Sequence, residues 1–442
     1  MRPTGIDLFA GAGGLSLGFE QAGFDIVAAV EIDPIHAAIH KFNFPNCAVI
    51  ARSVSDLSAA EIREFAGIGP RQVDVVFGGA PCQGFSLIGH RALDDPRNSL
   101  VRDFVRIVSD LDASYFVFEN VKGLTVGRHK RFLEEIIEEF EENGYQVRDP
   151  WKVLNAANYG VPQSRERLIL MGAKKGLPLP AYPEVKTAKA GEGPSSFFPL
   201  GPTCEDALDD IPDAESFSAL LKSDEVEIEN WGNPSDYARE MRCLDNDAWH
   251  HGYPRKWNPR LLTSSTRSDH TEISRHRFSE TNEGQVEPIS RFFKLPANGV
   301  SNTLRAGTDA SRGAFTSPRP IHYRLPRCIT VREMARLHGF PDWFRFHETK
   351  WHGARQIGNA VPPPLARAVG EQVIRTLGVY PTRPDDVVSL GDPSLLRLGM
   401  KEAAELFSVE APIGKRDRKS GARKRKQHEI QAALEALRIA ND

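Results

Sequence analysis

The chain has 442 residues, a formal net charge of −3, 40% hydrophobic residues and 26% charged residues. This length is too great for one ordinary hydrophobic core, so it predicts two domains or one domain with a large insertion. The composition is typical of a soluble globular protein. Since the sequence has no apolar run long enough to span a bilayer and no signal-like N-terminus, we expect a cytoplasmic protein.

The cysteines argue against a disulfide framework and against a zinc site. They are scattered, odd in number and without CxxC spacing, so we expect no metal and judge each by its local context. The five are Cys47, Cys82, Cys204, Cys243 and Cys328.

The first 175 residues alternate strand-like and helix-like segments. The strand-like segments are apolar at nearly every position, which indicates a parallel sheet with helices on both faces. This pattern predicts a doubly wound, Rossmann-like α/β domain. The predicted strands are 4–10, 24–33, 72–79, 115–121 and 165–173, and the predicted helices are 15–23, 34–43, 100–111 and 129–145.

The first predicted strand leads into a glycine-rich turn, DLFAGAGG, that opens a helix. Backbone N–H groups at such a turn can approach a ligand closely. A dinucleotide fingerprint would need glycine where Ser16 stands, so pyrophosphate binding is not supported. Glu31 ends the next strand, where an acidic residue accepts hydrogen bonds from ribose hydroxyls. The two features favour a nucleoside ligand such as S-adenosylmethionine, with a purely structural tight turn as the alternative.

Cys82 follows the third strand in the stretch GGAPCQGFS. Ligands of open parallel sheets bind beyond the C-terminal strand ends, so a thiol here lies near the ligand. Free cysteines are nevertheless among the most buried residues, and a structural thiol is the more common outcome for such a residue taken alone. Both interpretations remain open from this motif alone.

Two further segments bring charged groups to the same region. The strand YFVFENV ends in Glu119, a carboxyl group that desolvation would favour in its neutral, proton-donating form. The next strand begins with Arg165 and Arg167, which share one face by the two-residue period and suit carbonyl or phosphate recognition. The structural alternatives are a helix-cap or salt-bridge carboxylate, and a simple ion pair of these arginines with Glu119 or Glu166.

The regular alternation of strand-like and helix-like segments ends after about residue 175. Proline-rich and glycine-rich stretches lead into about 150 irregular residues, and order returns at PRCITVREMARLHGF, where Thr330 and Glu333 fit a capping box. A proline-started helix is predicted within 359–378, followed by a tail with the basic run GKRDRKSGARKRKQ.

Seven of these motifs together resemble the DNA cytosine-5 methyltransferases, in particular the C5 methylases of bacterial restriction-modification systems. The order and approximate spacing of the motifs match over residues 6–172 and 325–370. They are DLFAGAGG, EID, GGAPCQGFS, FENV, QSRER, RxxTxRE from Arg327 to Glu333, and QIGNAVPPPLA.

The resemblance implies covalent catalysis. Cys82 would add as a thiolate to C6 of the target cytosine, which makes C5 able to take the methyl group of S-adenosylmethionine. Glu119 would hydrogen-bond and protonate N3, and Arg167 would hold O2 with Arg165 in support. No dedicated base for the C5 proton is evident, and we expect a bound water in that role.

The resemblance also implies a cofactor pocket for S-adenosylmethionine and its product S-adenosylhomocysteine. Phe9 would stack on the adenine, Ile32 would lie against it, and Glu31 would bind the ribose. Asp56, with Leu57 beside it, would contact the adenine amino group. The remaining implied pocket residues are Gly11, Gly13, Gly14, Pro81, Leu100 and Asn359.

The partner implied is double-stranded DNA, with the target base flipped into the pocket. Residues 1–175 would form the catalytic domain, 176–349 a target-recognition domain, 350–380 a returning helix, and 381–442 a basic C-terminal tail. Local basic stretches at 267–278 and 305–336 would contact DNA. The individual DNA contacts expected are Gln83, Ser86, Arg327 and Arg332.

We expect a monomer without a membrane partner in the bacterial cytoplasm, protecting host DNA, with a restriction endonuclease acting on the same site as a possible partner. A tRNA cytosine-5 methyltransferase of the same fold is an alternative, although the Cys-Phe-Thr tripeptide of that branch is absent from 175–320. A second alternative, an inactive DNA-binding regulator, would be expected to have lost Cys82, Glu119 or the glycine turn. A nucleotide-dependent oxidoreductase is not supported, because the sequence lacks the dinucleotide-binding fingerprint.

Overall fold

The computed structural model describes residues 2–81, 98–127, 129–191, 197–308 and 316–411. The expected catalytic loop with Cys82, Gln83 and Ser86 lies outside the described residues, as does the basic run of the tail. None of the helices in the described ranges has the length and apolar character needed to cross a membrane.

The centre of the molecule is one eight-stranded sheet in the order β3-β2-β1-β4-β5-β8-β6, with β7 also paired to β8. The strands from β1 to β5 are parallel, as predicted, whereas β8 runs antiparallel to β5, β6 and β7. The strand bounds are β1 Thr4–Leu8, β2 Asp25–Val30, β3 Ala48–Ile50, β4 Val75–Gly78, β5 Tyr115–Val121, β6 Tyr145–Val147, β7 Lys152–Asn155 and β8 Glu166–Lys174.

The reversed direction of β8 determines where its first residues lie. In the register of β5 and β8, Val121 pairs with Arg167 and Glu119 pairs with Ile169. The N-terminal end of β8 therefore meets the C-terminal end of β5. In an all-parallel sheet, Arg165 and Arg167 would lie at the opposite edge from Glu119.

In the described part of the first 145 residues, the four predicted helices are present, one with the predicted bounds and three with slightly different ones, and five helices in all cover the sheet. They are α1 Gly14–Ala22, α2 Pro34–Asn43, α3 Ala59–Ala66, α4 Ser99–Asp110 and α5 His129–Glu142. Apolar side chains fill both faces of the sheet, which is the layered arrangement of a doubly wound fold. On one face Phe19 stacks on Phe77 at 3.9 Å between ring centroids, and on the other Phe116 stacks on Phe140 at 3.7 Å.

The segment after β8 is irregular, as predicted, with short helices and two-residue strands. Its elements are α6 Cys204–Leu208, β9 Val226–Glu227, α7 Asp236–Met241, β10 Arg255–Lys256, β11 Leu261–Leu262, α8 Glu272–Glu280 and α9 Val331–Leu337. The capping box predicted at the start of α9 is present, with Thr330 and Glu333 each accepting a backbone N–H of the other. Apolar residues of this segment belong to the same buried cluster as residues of α1. The boundaries of the predicted target-recognition domain stay a prediction.

The chain then returns to the central sheet through α10 Lys350–Asn359 and α11 Pro363–Thr376. Helix α11 packs closely on α1 because Gly18 has no side chain: a Cβ there would lie 2.6 Å from both Arg367 N and Pro363 O. The described chain continues with β12 Val388–Ser389 and α12 Met400–Leu406, so the first part of the expected tail is folded.

Candidate functional site

A cleft of about 800 Å³ lies at the edge of the sheet where the parallel strands end. Clefts at this edge are the usual ligand sites of open α/β sheets, and the volume suits an organic ligand. The cleft is lined by the glycine turn, the ends of β2, β4 and β5, the start of β8, and the α10–α11 connection. Its polar and charged lining residues include Glu31, Asp33, His36, Glu119, Asn120, Arg165, Arg167, Arg355, Gln356 and Asn359.

The glycine turn presents its backbone to the cleft in an unusual conformation. Gly11 has a φ of +55° and Phe9, although not a glycine, has a φ of +63°. A left-handed conformation at a bulky residue costs on the order of 1–3 kcal/mol and is concentrated at ligand sites. A Cβ at Gly11 would meet nothing within 4 Å, which leaves open space beside the turn for a ligand.

Glu31 joins this turn to the start of α2. Its carboxylate accepts hydrogen bonds from Gly11 N and Asp33 N, each at 2.8 Å, while burial raises its pKa. The next residue, Ile32, is an apolar side chain that is 62% exposed and lines the cleft. An oriented acceptor beside an open apolar surface fits a ribose and an adenine ring.

The other two glycines of the turn make room for protein atoms. A Cβ at Gly14 would lie 2.5 Å from Val361 O, and one at Gly13 would lie 2.5 Å from the Phe44 ring. Gly14 lines the cleft, but Gly13 is not among its lining residues. The expectation that both run along the ligand stays a prediction, and Gly13 has a structural reason of its own in its φ of +104° and its close packing.

A buried polar network lies directly beneath the turn. The Ser16 hydroxyl donates to Asp7 Oδ2 at 2.6 Å and lies 3.0 Å from His40 Nε2. Burial raises the pKa of Asp7 to about 8 and lowers the pKa of His40 to about 3. Both side chains are therefore neutral near pH 7, which reduces the cost of placing them in the core.

Glu119 and Arg167 form an ion pair in the cleft, with Arg167 Nε 2.7 Å from Glu119 Oε1. This is one of the alternatives weighed for these two groups, but both side chains also line the cleft. A Cβ at Gly79 would lie 2.5 Å from Glu119 Oε2, so the end of β4 approaches this carboxylate closely because residue 79 is glycine.

The next residue of β5 secures the chain that leads to Cys82. Asn120 donates from its side chain to Ala80 O at 3.0 Å, and Pro81 lines the cleft. Pro81, the residue directly before Cys82 in the sequence, therefore lies at the cleft. Sequence reasoning missed Gly79 and Asn120, although both stand beside residues that it singled out.

Arg165 lies behind Arg167 and binds protein carbonyls. It is 1% exposed and donates to Leu304 O at 3.1 Å and to Gly358 O at 2.9 Å. Burial and the neighbouring Arg167 lower its pKa. Arg165 thus joins β8 to the irregular segment and to the end of α10, which agrees with a supporting role. Asn359, the last residue of α10, is exposed in the cleft.

Three expected cofactor contacts are not among the residues that line the cleft: Asp56, Leu57 and Leu100. Asp56 is exposed at the end of the turn Val54–Asp56, and Leu57 is buried in the core beneath it. Leu100 is half-buried on α4. The Leu57 side chain packs into the core, the cleft geometry supports none of these three contacts, and they stay predictions.

The expectation that Arg327 and Arg332 contact DNA is wrong. These side chains are 2% and 1% exposed. Arg327 forms a bidentate pair with Glu333 at 2.8 and 2.9 Å, and Arg332 donates to the Thr263 hydroxyl and to carbonyl oxygens, including Phe344 O at 2.8 Å. Guanidinium groups bound in this way are unavailable to a phosphate or a base edge.

Arginines of 305–336 also pair with aspartates of the acidic stretch at 205–229. Arg327 pairs with Asp213 at 3.0 Å, Arg336 with Asp210 at 3.0 Å, and Arg324 with Asp209. The two oppositely charged stretches of the sequence therefore lie against each other. Their separation along the chain gave no sign of this pairing.

The described residues contain no group of three or more histidine, cysteine, aspartate or glutamate side chains that could hold a metal ion. Within the same ranges Cys47, Cys204, Cys243 and Cys328 are free thiols.

Comparisons with known proteins agree with this geometry. A family model described as C-5 cytosine-specific DNA methylase matches residues 4–375. The chain is 60% identical over 413 residues to the Type II methyltransferase M.XorII of Xanthomonas oryzae pv. oryzae, covering 93% of this chain and 94% of that protein. It is 34% identical over 382 residues to the Type II methyltransferase M1.HphI of Haemophilus parahaemolyticus, covering 85% and 87%.

A comparison with solved structures finds a related methyltransferase with a similar fold. The crystal structure of a DNA modification methyltransferase encoded within an E. coli prophage, described there as putative, matches with a TM-score of 0.66 and 32% identity. The match covers 85% of this chain and all of that one.

Proposed function

The chain belongs to the C-5 cytosine-specific DNA methylase family, and on that premise we propose how the residues of its cleft carry out the reaction. It is a DNA cytosine-5 methyltransferase of the restriction-modification type, and its family uses S-adenosylmethionine. The observation that carries the residue assignment is the meeting of Glu119, Arg167 and Pro81 in one cleft beside the glycine turn.

The cofactor end of the cleft suits S-adenosylmethionine. Gly11 leaves open space beside the turn, Glu31 presents an oriented carboxylate, and Ile32 offers an apolar surface. These residues, with Phe9 and Asn359, would hold the cofactor, which supplies an electrophilic methyl group on a sulfonium.

The chain's own residues activate the cytosine. The Cys82 thiolate adds to C6 of the flipped base, forming a C–S bond and moving the C5–C6 electron pair towards C5. Glu119 donates a proton to N3 as this electron density rises, and Arg167 holds O2. After C5 is methylated, a water removes the C5 proton, the C5–C6 double bond re-forms, the Cys82 thiolate leaves, and N3 returns its proton to Glu119.

Arg165 acts as a positioning residue in this scheme. Its guanidinium group donates to the carbonyls of Leu304 and Gly358 and so holds the start of β8 in place. This fixes the position of Arg167 in the cleft. It touches no reacting atom in our proposal.

We further propose that the protein acts as a monomer on bacterial genomic DNA in the cytoplasm, where it protects host DNA from an endonuclease acting on the same site. The relatives named above are Type II methyltransferases, which supports this assignment.

Transfer of tritiated methyl groups to duplex DNA tests the proposal, followed by bisulfite sequencing to locate the modified cytosine. The wild-type protein should be active. The control variant Cys243→Ser should also be active, because it replaces a free thiol that does not line the cleft. Cys82→Ser should lose methyl transfer but retain DNA binding. Full activity of Cys82→Ser, or methylation of tRNA in place of duplex DNA, would contradict the proposal.

A further inference from the structure

The chain beyond the family domain is folded onto the cofactor end of the cleft. The family model ends at residue 375, but residues 388–407, which we call the C-terminal segment, form β12, the turn Pro393–Arg397 and α12. Strand β12 pairs in parallel with β10, and Val388 N donates to Pro254 O at 2.8 Å. This segment is therefore attached at its start to the main body of the protein.

Apolar packing then holds the C-terminal segment against the two elements that shape the cofactor end. Leu395 and Leu396 share one buried cluster with Ala12 of the glycine turn and with Ile39 and Phe42 of α2. Ala12 also lines the cleft. The segment thus packs behind the same turn whose open side would receive the ligand.

Hydrogen bonds to backbone atoms of the segment fix it at three further places. Gly391 N donates to Phe42 O at 2.9 Å, and Glu348 N donates to Leu396 O at 2.9 Å. His347 Nε2 lies 3.2 Å from Leu398 O, immediately before α12. These contacts set the position at which α12 begins.

The first residue of α12, Met400, lines the cleft together with Ile32, Asp33 and His36. Ile32 and Asp33 lead directly into α2, and α12 packs on α2. Met400 is half-buried, so part of its side chain faces the open cleft. A thioether side chain is polarizable and flexible, and it makes favourable contacts with aromatic rings.

We propose that Met400 contacts the adenosine part of S-adenosylmethionine and that the C-terminal segment is part of the cofactor site. This inference rests on the proposed function, since it assumes that the cleft binds this cofactor. It makes affinity for the cofactor depend on a residue outside the family domain.

Binding of S-adenosylhomocysteine to the full-length protein, measured by titration calorimetry, tests this proposal. Met400→Ala should weaken binding roughly three- to tenfold through loss of the apolar side-chain contact, and Met400→Leu, which keeps an apolar side chain of similar size, should weaken it much less. The matched control is Lys401→Ala, an exposed neighbour on the same helix that does not line the cleft. Thermal melting of each variant checks that the fold is retained.

Steady-state kinetics separate a cofactor contact from a general structural effect. Met400→Ala should raise KM for S-adenosylmethionine with little change in kcat at saturation, because the lost contact is made equally in the ground state and the transition state. Hydrogen exchange on the wild-type protein should show slower exchange on ligand binding in peptides covering 396–406 and no change in α8.

The outcomes distinguish this inference from the function on which it rests. If the wild-type protein binds the ligand and Met400→Ala binds it equally tightly, the role of Met400 is wrong while the proposed function stands. If the wild-type protein neither binds the ligand nor transfers methyl groups, both proposals fail together.

Discussion

At the scale of single residues, the contact between Glu119 and Arg167 is compatible both with a structural ion pair and with a catalytic pair. Their 2.7 Å ion pair is the structural alternative weighed for these groups, yet both side chains line the cleft beside Pro81. A short distance away, Lys122 and Glu166 form an ion pair at 2.9 Å that is about half exposed. The two carboxylates therefore make a matched pair for mutation.

We expect Glu119→Gln to lower kcat roughly a hundredfold or more, because an amide cannot donate the proton that a general acid supplies to N3. Binding of S-adenosylhomocysteine should change little. Glu166→Gln is the control, since its surface ion pair contributes less than about 1 kcal/mol. Methyl transfer under single-turnover conditions measures both, and equal activity of the two variants would count against the role of Glu119.

Asp7 gives a residue-scale prediction of pH dependence. Its pKa is about 8 in the folded protein, against 3.8 as the ordinary value, so unfolding releases its proton between these two values. The unfolded state binds fewer protons in this window, and stability falls as pH rises through it. Asp7→Asn removes this contribution.

The free energy of unfolding of wild type minus that of Asp7→Asn should therefore fall between about pH 5 and about pH 8, and level off above. Urea unfolding at a series of pH values measures this difference. A difference that stays constant with pH would show that Asp7 is ionised in the folded state.

At the scale of elements, the direction of β8 brings Arg167 to the same edge of the sheet as Glu119. The sequence predicts a strand at 165–173 and one shared face for Arg165 and Arg167; the strand is observed at Glu166–Lys174, and both arginines line the cleft. Periodicity does not report strand direction, which depends on the short connection through β6 and β7. The antiparallel pairing of Val121 with Arg167 was therefore visible only in the structure.

The contact of α1 with α11 is a second feature of this scale, because it holds the glycine turn against the returning chain. Gly18→Ala should cost roughly 1–3 kcal/mol, since a Cβ would clash with backbone atoms of α11 that cannot move freely. Gly123→Ala is the control, with its nearest neighbour at 4.0 Å and no positive φ. Chemical denaturation compares them, and equal midpoints would contradict this packing.

At the scale of the whole molecule, the distribution of charge is the main departure from the sequence interpretation. The arginines of 305–336 were expected to form a basic surface that contacts DNA. In the structure several of them pair with carboxylates instead, as Arg336 does with the buried Asp210 and Asp342. Contacts more than a hundred residues apart leave no periodic signal in the sequence, whereas the cofactor turn is a local motif and was predicted.

Two arginines of this network should differ strongly on mutation. Arg336→Ala should destabilise the protein by about 3–5 kcal/mol, because it removes the shortest ion pairs of the buried carboxylates Asp210 and Asp342. Arg324→Ala should cost less than about 1 kcal/mol, since its pair with Asp209 is half exposed. Urea unfolding measures both, and similar losses would show that the buried pairs are not needed for the fold.

The central claim is that Cys82 forms a covalent bond to the target cytosine, and trapping on DNA containing 5-fluorocytosine tests it most directly. Fluorine at C5 cannot leave as a proton does, so the methylated adduct should persist on a denaturing gel in the presence of S-adenosylmethionine. Protease digestion and mass spectrometry should then place the nucleotide on the peptide that contains Cys82. Failure of the wild-type protein to form an adduct, or an adduct on another cysteine, would contradict the account.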